Sequence, residues 1–325
     1  NLQYVKDILN EIFGPKNFVA IIPFIKTTSS TTNLLSKVND FLIWFAKDIK
    51  KIKYRQLYQQ KEIGGFGGKQ FNKVELADGT VVSRQIYESK KLTNGKYFYI
   101  DNLQSASPGS KFWIELDGQK FYPKNYWKTD EIGIANLKKE GRIVLSGNNI
   151  GYKRYFNDFP VYALNNFWND TIPSFQARKY VVQTNPKVIE RCILMTTDPG
   201  DIVFDPTCGS GTTAYVAEKW ARRWITCDSS KISINIAKQR IMTAIYDFYQ
   251  IKNSNEGIKS GFNYKTISHV KLSTIARNGI PEKEIIYDQP IIDESKKRIS
   301  GPFTIEAVPS PMVRSIDTLF EENSN

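Results

Sequence analysis

The stretch DPTCGSGTTAYVAEKWARRWITCD, from Asp205 to Asp228, decides the fold of this chain. It follows an apolar segment, DIVF, and it places two glycines among small hydroxyl residues before a helix-forming run. A second apolar segment then ends at another acid, Asp228. The order of strand, glycine turn, helix and strand is typical of an α/β fold with a doubly wound parallel sheet.

The glycine turn predicts a ligand site. Gly209 and Gly211 lack a Cβ atom, so the backbone can turn tightly and bring its amides close to a ligand. The helix that follows offers free N–H groups and the positive end of its dipole. In a Rossmann-like layout, an acid at the end of the second strand accepts hydrogen bonds from ribose hydroxyls, which is the position of Asp228. The loop lacks the third glycine of the dinucleotide fingerprint, which disfavours a pyrophosphate ligand.

The flanking segments extend the same α/β pattern. TNPKVIERCILMTT, residues 184–197, predicts a helix with Asn185 as its N-cap and Pro186 at its first position. SSKISINIAKQRIMTAIYDFY, residues 229–249, predicts one long amphipathic helix capped by Ser229 or Ser230.

The sequence before residue 156 has a different pattern of predicted helices and strands. A helical pattern over residues 2–12 precedes two apolar strands, residues 18–26 and 40–48, which we expect to form a hairpin with a long connection. From residue 59 to 155, short alternating runs with Asp-Gly turns predict a separate and mostly β module. Residues 251–325 mix short elements with several prolines, and their fold is not predicted.

Composition and charge limit the class of protein. The chain is 41% hydrophobic and 24% charged, which is an ordinary globular balance. Its net charge of +12 favours a polyanionic partner such as nucleic acid. No apolar run reaches the length of a membrane span. Three cysteines without metal-ligand spacing and a single histidine predict a reduced, cytoplasmic protein without a metal site.

The glycine stretch and its flanks resemble the cofactor motif of β-class amino-methyltransferases that act on DNA. The usual form in that class is D-P-F-x-G-S-G-T-T, so Thr207 replaces an aromatic residue here. Residues 1–50 and 155–310 are similar to Mod subunits of type III restriction-modification systems and to related large adenine methyltransferases. In that class the cofactor half follows the catalytic half and the target-recognition region, so the resemblance implies a circularly permuted methyltransferase fold.

The resemblance implies S-adenosylmethionine as the cofactor. It places Asp205 near the methionine amine, Asp228 on the ribose, and Thr184, Asn185 and Pro186 at the methionine end. The complete set of cofactor-binding residues that it implies is Asp205, Pro206, Thr207, Cys208, Gly209, Ser210, Gly211, Thr212, Asp228, Thr184, Asn185 and Pro186.

The resemblance also divides the chain. It implies part of a methyltransferase domain in residues 1–58, a target-recognition module in 59–155, the cofactor half in 156–250 and an extension in 251–325. The Asp-Pro-Pro-Tyr type of motif that methylates exocyclic amines is absent from the sequence. We therefore expect it upstream of Asn1, which would make this chain a C-terminal piece with no catalytic residue of its own and an incomplete sheet.

The resemblance implies part of a DNA methyltransferase that transfers a methyl group from S-adenosylmethionine to adenine N6. Cytosine N4 as the target, or a DNA-binding subunit that keeps the fold without catalysis, are the alternatives. We expect double-stranded DNA as the partner, and the resemblance also allows a restriction (nuclease/helicase) subunit and a homodimer. The residues that we predict to follow the DNA phosphates are Lys47, Lys50, Lys51, Lys53 and Arg55.

Overall fold

A computed structural model describes residues 2–29, 31–172 and 184–307. Helices and strands alternate along the described chain, and antiparallel pairing predominates outside the part that contains the glycine loop. The helices are α1 (Leu2–Phe13), α2 (Arg84–Ser89), α3 (Glu131–Lys139), α4 (Pro186–Thr196), α5 (Thr212–Lys219), α6 (Lys231–Met242) and α7 (Leu272–Ala276).

The strands of the described residues form one five-stranded sheet and several two-stranded ones. They are β1 (Phe18–Ile25), β2 (Asn39–Phe45), β3 (Tyr58–Gln60), β4 (Glu62–Ile63), β5 (Gly67–Gly68), β6 (Lys73–Glu75), β7 (Val81–Ser83), β8 (Lys96–Asn102), β9 (Gln104–Ser105), β10 (Ile114–Leu116), β11 (Gln119–Phe121), β12 (Tyr126–Trp127), β13 (Ile143–Ser146), β14 (Asn149–Tyr155), β15 (Val161–Ala163), β16 (Ile202–Asp205), β17 (Arg223–Thr226), β18 (Ile245–Tyr249), β19 (Tyr264–His269), β20 (Glu282–Pro290) and β21 (Ile292–Ile299).

The N-terminal hairpin has the predicted form. β1 and β2 pair antiparallel, with Ile25 opposite Asn39 and Phe18 opposite Phe45. Helix α1 precedes the hairpin as the periodicity predicts, and none of its residues is fully buried. The side chain of Ile22 points into the core that the hairpin shares with α4 and α5.

Residues 73–155 are mostly β. The five-stranded sheet runs in the order β13-β14-β8-β6-β7, and its described neighbours are all antiparallel. The sequence motif Asp-Gly forms the turn between β10 and β11 and lies between β6 and β7, as the alternating pattern predicts. A separate hydrophobic core, which includes Trp127 and Leu137, lies under this part of the chain.

The glycine stretch folds as α/β structure. β16 and β17 pair in parallel, with Ile202 opposite Arg223 and Asp205 opposite Thr226, and α5 is the crossover between them. Helix α4 packs against α5, and Trp220 donates from Nε1 to Glu190 Oε1 at 2.7 Å. Parallel pairing brings the carboxyl ends of both strands to one edge, where the glycine loop begins.

The long helix predicted for residues 229–249 is wrong in its last third. Helix α6 ends at Met242, and the segment that follows forms β18, which pairs antiparallel with β21. The sequence IYDFY of β18 is rich in β-branched and aromatic residues, so it favours a strand once a partner is available. Helical spacing alone did not distinguish a longer helix from a helix followed by a strand, because the partner strand lies some fifty residues later in the sequence.

Residues 251–307 contribute side chains to both cores. Strands β19 and β20 form an antiparallel pair, and α7 between them packs against α3. The amide of Asn136 on α3 donates to the carbonyl of Ala276 on α7 at 2.7 Å. His269 stacks on Phe159 with a ring separation of 3.9 Å, and its Nδ1 lies 3.2 Å from Glu284. Within the described residues, no helix is long and apolar enough to cross a membrane.

Candidate cofactor site

The glycine loop connects β16 to α5 in a left-handed backbone conformation. Gly209 has a φ of 51° and Gly211 a φ of 71°, and Gly211 is the N-cap residue of α5. Residues with a Cβ atom adopt this conformation only with strain, so both positions favour glycine. The two predicted glycines therefore shape the turn that starts the helix.

The two glycines face different surroundings. A Cβ atom on Gly211 would lie 2.6 Å from Cβ of Ala237 and 3.0 Å from its Cα, so α6 packs directly on the loop at this point. A Cβ atom on Gly209 would have only the carbonyl of Thr207 nearby, at 3.9 Å. Gly211 thus permits the loop to pack on α6, while the backbone at Gly209 stays open to a ligand.

Asp228 joins the end of β17 to the glycine loop. Its Oδ2 accepts from the amide of Gly209 at 2.8 Å, and its Oδ1 accepts from the amide of Ser230 at 2.8 Å. Hydrogen bonds from the Ser230 and Gly209 amides lower the pKa of the Asp228 carboxyl below its usual value. The carboxylate is therefore ionised at neutral pH and keeps further lone pairs for a ligand.

Asp205 braces the other end of the loop. Its Oδ1 accepts from the amide of Thr207 at 2.9 Å and lies 3.2 Å from the hydroxyl of that residue. The amide of Cys208 donates to the carbonyl of Cys227 at 2.7 Å, which fixes the loop against the strand end. The Cys208 thiol is buried, and that burial raises its pKa, which favours a packing role over nucleophilic chemistry.

Arg240 on α6 also holds the loop, and the sequence analysis missed it. Its guanidinium donates to Thr212 Oγ1 at 3.0 Å and to the carbonyl of Ser210 at 3.3 Å. The guanidinium also lies over the ring of Tyr215 at 4.6 Å, and its burial lowers its pKa. The only sequence signal for this role was a basic residue on the helix that follows the second strand. The direction of its side chain could not be inferred without knowing how α6 packs.

We expect Arg240→Met to loosen the loop. The substitution keeps an apolar stem but removes the donor to the Ser210 carbonyl and to Thr212 Oγ1, at a cost of roughly 1–2 kcal/mol in the free energy of unfolding. Urea denaturation measures that loss, and hydrogen exchange at the amides of residues 209–212 should become faster. The exposed Lys238 on the same helix is the matched control, and Lys238→Met should change neither quantity. Unchanged hydrogen exchange at these loop amides in the Arg240 variant would contradict the role of Arg240 in holding the loop.

Helix α4 begins as the sequence predicts. The side chain of Asn185 accepts from the amide of Lys187 at 3.0 Å, and Pro186 occupies the first turn. The amide group of Asn185 also donates to the carbonyl of Thr171 at 2.7 Å, which ties the helix start to the segment after β15. Thr184 is exposed just before this cap.

A family model for DNA methylases matches residues 1–239, which include the whole glycine site. The chain belongs to the DNA methylase family. The match also includes the N-terminal hairpin and the mostly β region, so family membership does not rest on the glycine loop alone.

Two relatives in the DNA methylase family show what this chain resembles. The type II methyltransferase M.EcaI of Enterobacter cloacae is 25% identical over 246 residues, which is 74% of this chain and 50% of that protein. The probable type III restriction-modification enzyme HindVI Mod subunit of Haemophilus influenzae is 22% identical over 300 residues, which is 74% of this chain and 40% of that protein. This chain thus spans half or less of the length of these relatives.

One solved structure is similar to this chain at low overall agreement. The crystal structure of the M1.HpyAVI–SAM complex covers 74% of this chain and 69% of its own, with 16% identity and a TM-score of 0.32.

The five basic residues predicted to follow DNA phosphates lie in different surroundings in this methylase. Lys53 forms ion pairs with Asp198 at 3.1 Å and Asp201 at 2.6 Å, and Arg55 is also paired with Asp198. These two cations fix the segment before β3 to the connection between α4 and β16. Lys51 lies 3.9 Å from Asp48, while Lys47 and Lys50 form no ion pair among the described residues. The free positive charge of this segment is therefore smaller than the sequence suggests.

Proposed function

We propose that this chain carries the S-adenosylmethionine site of a DNA amino-methyltransferase. The observation that carries the proposal is the hydrogen bond from the Gly209 amide to the Asp228 carboxylate, which joins the glycine loop and the acid of the second strand into one site. Membership in the DNA methylase family supports the class of reaction.

The residues present fit this cofactor. The backbone at Gly209 is open, the first turn of α5 offers N–H groups, and the two acids flank the loop. Asp228 would accept from the ribose hydroxyls, and Asp205 would lie near the methionine amine. The loop residues proposed to contact the cofactor are Asp205, Pro206, Thr207, Cys208, Gly209, Ser210, Gly211 and Thr212, with Thr184, Asn185 and Pro186 at the methionine end.

The chemistry that this site needs is mostly positioning. S-adenosylmethionine supplies an already activated methyl group when it is bound. The loop amides, braced by Asp205, Asp228 and Arg240, would hold the cofactor in one orientation. A fixed orientation of the reacting groups lowers the entropic part of the barrier to transfer.

We expect Asp228→Ala to weaken binding of S-adenosylmethionine by at least about tenfold, because it removes both the bond to the Gly209 amide and the proposed ribose acceptor. Isothermal titration calorimetry of the 325-residue chain measures this loss. Asp247→Asn is the control, since Asp247 lies in β18 and pairs with Lys297 at 2.6 Å away from the loop. Equal affinity of the Asp228 variant and the parent chain would remove Asp228 from the site, and a folded parent chain that binds no S-adenosylmethionine would contradict the proposal.

We further propose adenine N6 in double-stranded DNA as the target, with cytosine N4 as the alternative. The basis is the resemblance of residues 1–50 and 155–310 to large adenine methyltransferases, together with the net charge of +12. Residues 59–155 would form the target-recognition module, and a restriction subunit would be the partner in a type III arrangement. Incubation of the whole protein with duplex DNA and labelled S-adenosylmethionine, followed by nucleoside analysis, distinguishes the two bases. DNA binding without transfer would favour a non-catalytic DNA-binding subunit instead.

The parallel sheet supports a fold that continues beyond these two strands. Strands of parallel sheets are usually covered on both faces, yet Ile202, Phe204 and Ile225 are exposed on one face of β16 and β17. Val203 and Trp224 on the other face pack against the core of α4 and α5. We propose that the catalytic part of a permuted methyltransferase domain, in cis or in trans, covers the exposed face.

A further inference from the structure

A short hairpin in the mostly β region carries an unusual outer face. We call residues 111–124, which include β10 and β11, the aromatic hairpin. Its turn residues Asp117 and Gly118 both have positive φ, at 50° and 74°, which matches the tight two-residue turn that suits the twist of a hairpin. The hairpin therefore has a defined register, with Ile114 opposite Phe121.

The inner face fixes the hairpin to the core. Ile114 and Phe121 are buried in the same cluster as Trp127. The indole N–H of Trp127 donates to the carbonyl of Phe112 at 2.9 Å, directly at the base of the hairpin. Anything on the outer face is thus presented by a rigid support rather than by a loose loop.

The outer face exposes two aromatic rings side by side. Trp113 is 65% exposed and Tyr122 is 49% exposed, and their ring centroids lie 5.0 Å apart. Of the six tryptophans of the chain, all within the described residues, the other five are buried or half-buried. A scattered apolar side chain on the surface needs no explanation, but a rigid pair of large rings is typical of a contact surface.

Lysines surround this pair. Lys111, Lys120 and Lys124 are exposed, and none of them forms an ion pair among the described residues. Glu115 faces Lys120 across the hairpin and offsets part of the charge. The whole segment 59–155 contains sixteen lysines and arginines against ten acids, so the surroundings are basic as well. Lys111 lies over the ring of Tyr126 at 4.8 Å, which leaves its charge without a carboxylate partner. Exposed aromatic rings beside lysines without ion pairs suit DNA, because the rings can pack on sugars and groove edges while the lysines neutralise phosphates.

We propose that the aromatic hairpin contacts duplex DNA, with Trp113 and Tyr122 against the groove and the three lysines on the phosphates. The proposal rests on the proposed function as a DNA methyltransferase and assigns a surface of the recognition module to the DNA. The aromatic pair supplies apolar contact, and the lysines set the salt dependence of binding.

The test compares variants of the 325-residue chain by fluorescence anisotropy with a labelled duplex. The double variant Trp113→Ala/Tyr122→Ala should bind roughly tenfold more weakly or worse, because it removes the apolar contact of both rings with the groove. The triple variant Lys111→Ala/Lys120→Ala/Lys124→Ala should reduce the slope of log K against log salt by about 2–3. The matched control is the double variant Lys90→Ala/Lys91→Ala. These two lysines follow α2 at the other end of the five-stranded sheet, so this variant should bind the duplex within about twofold of the parent affinity. All substituted side chains are exposed, so the variants should fold, and circular dichroism checks that each one does.

Quenching by acrylamide provides a second measurement. The difference between the parent chain and Trp113→Phe reports the accessibility of Trp113, and duplex DNA should reduce it. If heparin reduces the quenching of Trp113 as much as duplex DNA does, the contact is purely electrostatic, and this result would overturn the role of the rings.

The outcomes separate the two levels of the proposal. A parent chain that binds neither S-adenosylmethionine nor duplex DNA would overturn the proposed function. A chain that binds S-adenosylmethionine but no DNA, or a double variant that binds DNA as tightly as the parent, would overturn the role of the hairpin alone. A control variant that loses as much affinity as the hairpin variants would also overturn it.

Discussion

Replacing Gly211 with alanine should lower the free energy of unfolding by about 3 kcal/mol and weaken S-adenosylmethionine binding more than tenfold. The left-handed backbone at this position costs roughly 1–2 kcal/mol for a residue with a Cβ atom. The new Cβ would also lie 2.6 Å from Cβ of Ala237, and forcing a methyl group into a packed contact costs about 1–3 kcal/mol more. Urea denaturation measures the first effect and calorimetric titration the second.

Two other glycines separate the backbone effect from the contact with α6. Gly209→Ala meets only the backbone cost, because no atom lies closer than 3.9 Å to its Cβ position, so it should cost about 1–2 kcal/mol. Gly79→Ala lies in a distant hairpin turn with a φ of 84° and open space around it, so it should lower stability by a similar amount while leaving cofactor binding unchanged. A Gly211 variant that is as stable as the Gly209 variant would contradict the close approach of α6.

A double variant tests the contact itself. Ala237→Gly removes the Cβ atom at 2.6 Å, which is the nearest atom that the new methyl group would meet, and leaves the Cα atom at 3.0 Å. The substitution itself costs about 1 kcal/mol in helix propensity. In the Gly211→Ala background it should cost less than it does alone, because it relieves the contact. A coupling energy near zero between the two substitutions would show that the loop and α6 do not press on each other there.

The sequence predicted those parts of the site that depend on local signals. The left-handed turn requires Gly209 and Gly211, and the start of α4 requires the side chain of Asn185, so both could be recognised from neighbouring residues. The order of β16, α5 and β17 also followed from apolar runs of the right length. Asp228 was predicted as a ligand acceptor, and the structure adds a bond to Gly209 that the sequence could not show.

The parts that the sequence could not predict depend on contacts between distant segments. Arg240 reaches the loop only because α6 packs on Gly211, and the strand β18 exists because β21 lies beside it. Lys53 and Arg55 looked like free cations in the sequence but pair with Asp198, which lies more than a hundred residues away. In each case a tertiary partner changed what the local pattern suggested.

We expect Asp170→Asn to lower the free energy of unfolding by about 2 kcal/mol at pH 7. Arg191 donates to the Asp170 carboxylate through both terminal nitrogens, at 2.8 and 2.7 Å, and Lys187 donates at 2.6 Å. Arg191 is buried, so an uncharged partner leaves its guanidinium without compensation. Such a loss costs about 3–5 kcal/mol when both groups are fully buried, and it is smaller here because Asp170 is partly exposed.

The loss of stability caused by Asp170→Asn should become smaller as the pH falls. Burial disfavours ionisation of Asp170, but the hydrogen bonds from Arg191 and Lys187 outweigh it and lower the pKa of the carboxyl to about 2 in the folded state, from 3.8. A group whose folded pKa lies below its unfolded pKa stabilises the fold fully above the unfolded value, and this contribution is lost as pH falls through the folded value. The difference between parent and variant should therefore be constant above about pH 5 and shrink between about pH 4 and 2.

Asp247→Asn is the control for this series. Asp247 pairs with Lys297 at the surface, where such pairs contribute less than about 1 kcal/mol, so its stability difference should be small at every pH. A difference for Asp170→Asn that stays constant down to pH 2, or grows in acid, would contradict the ion pair as its source.

The Asp170 ion pair also bears on the cofactor site. Arg191 lies over the ring of Trp168 at 5.2 Å, and Asn185 donates to the carbonyl of Thr171, so residues 168–171 support the first half of α4. The proposed methionine end, Thr184 to Pro186, begins at that same helix start. With the methionine end at this helix start, Asp170→Asn should weaken S-adenosylmethionine binding, whereas Gly79→Ala, which lowers stability by a comparable amount, should not. Equal affinities in the two variants would leave Asp170 as a stabiliser of the fold and move the methionine end away from the start of α4.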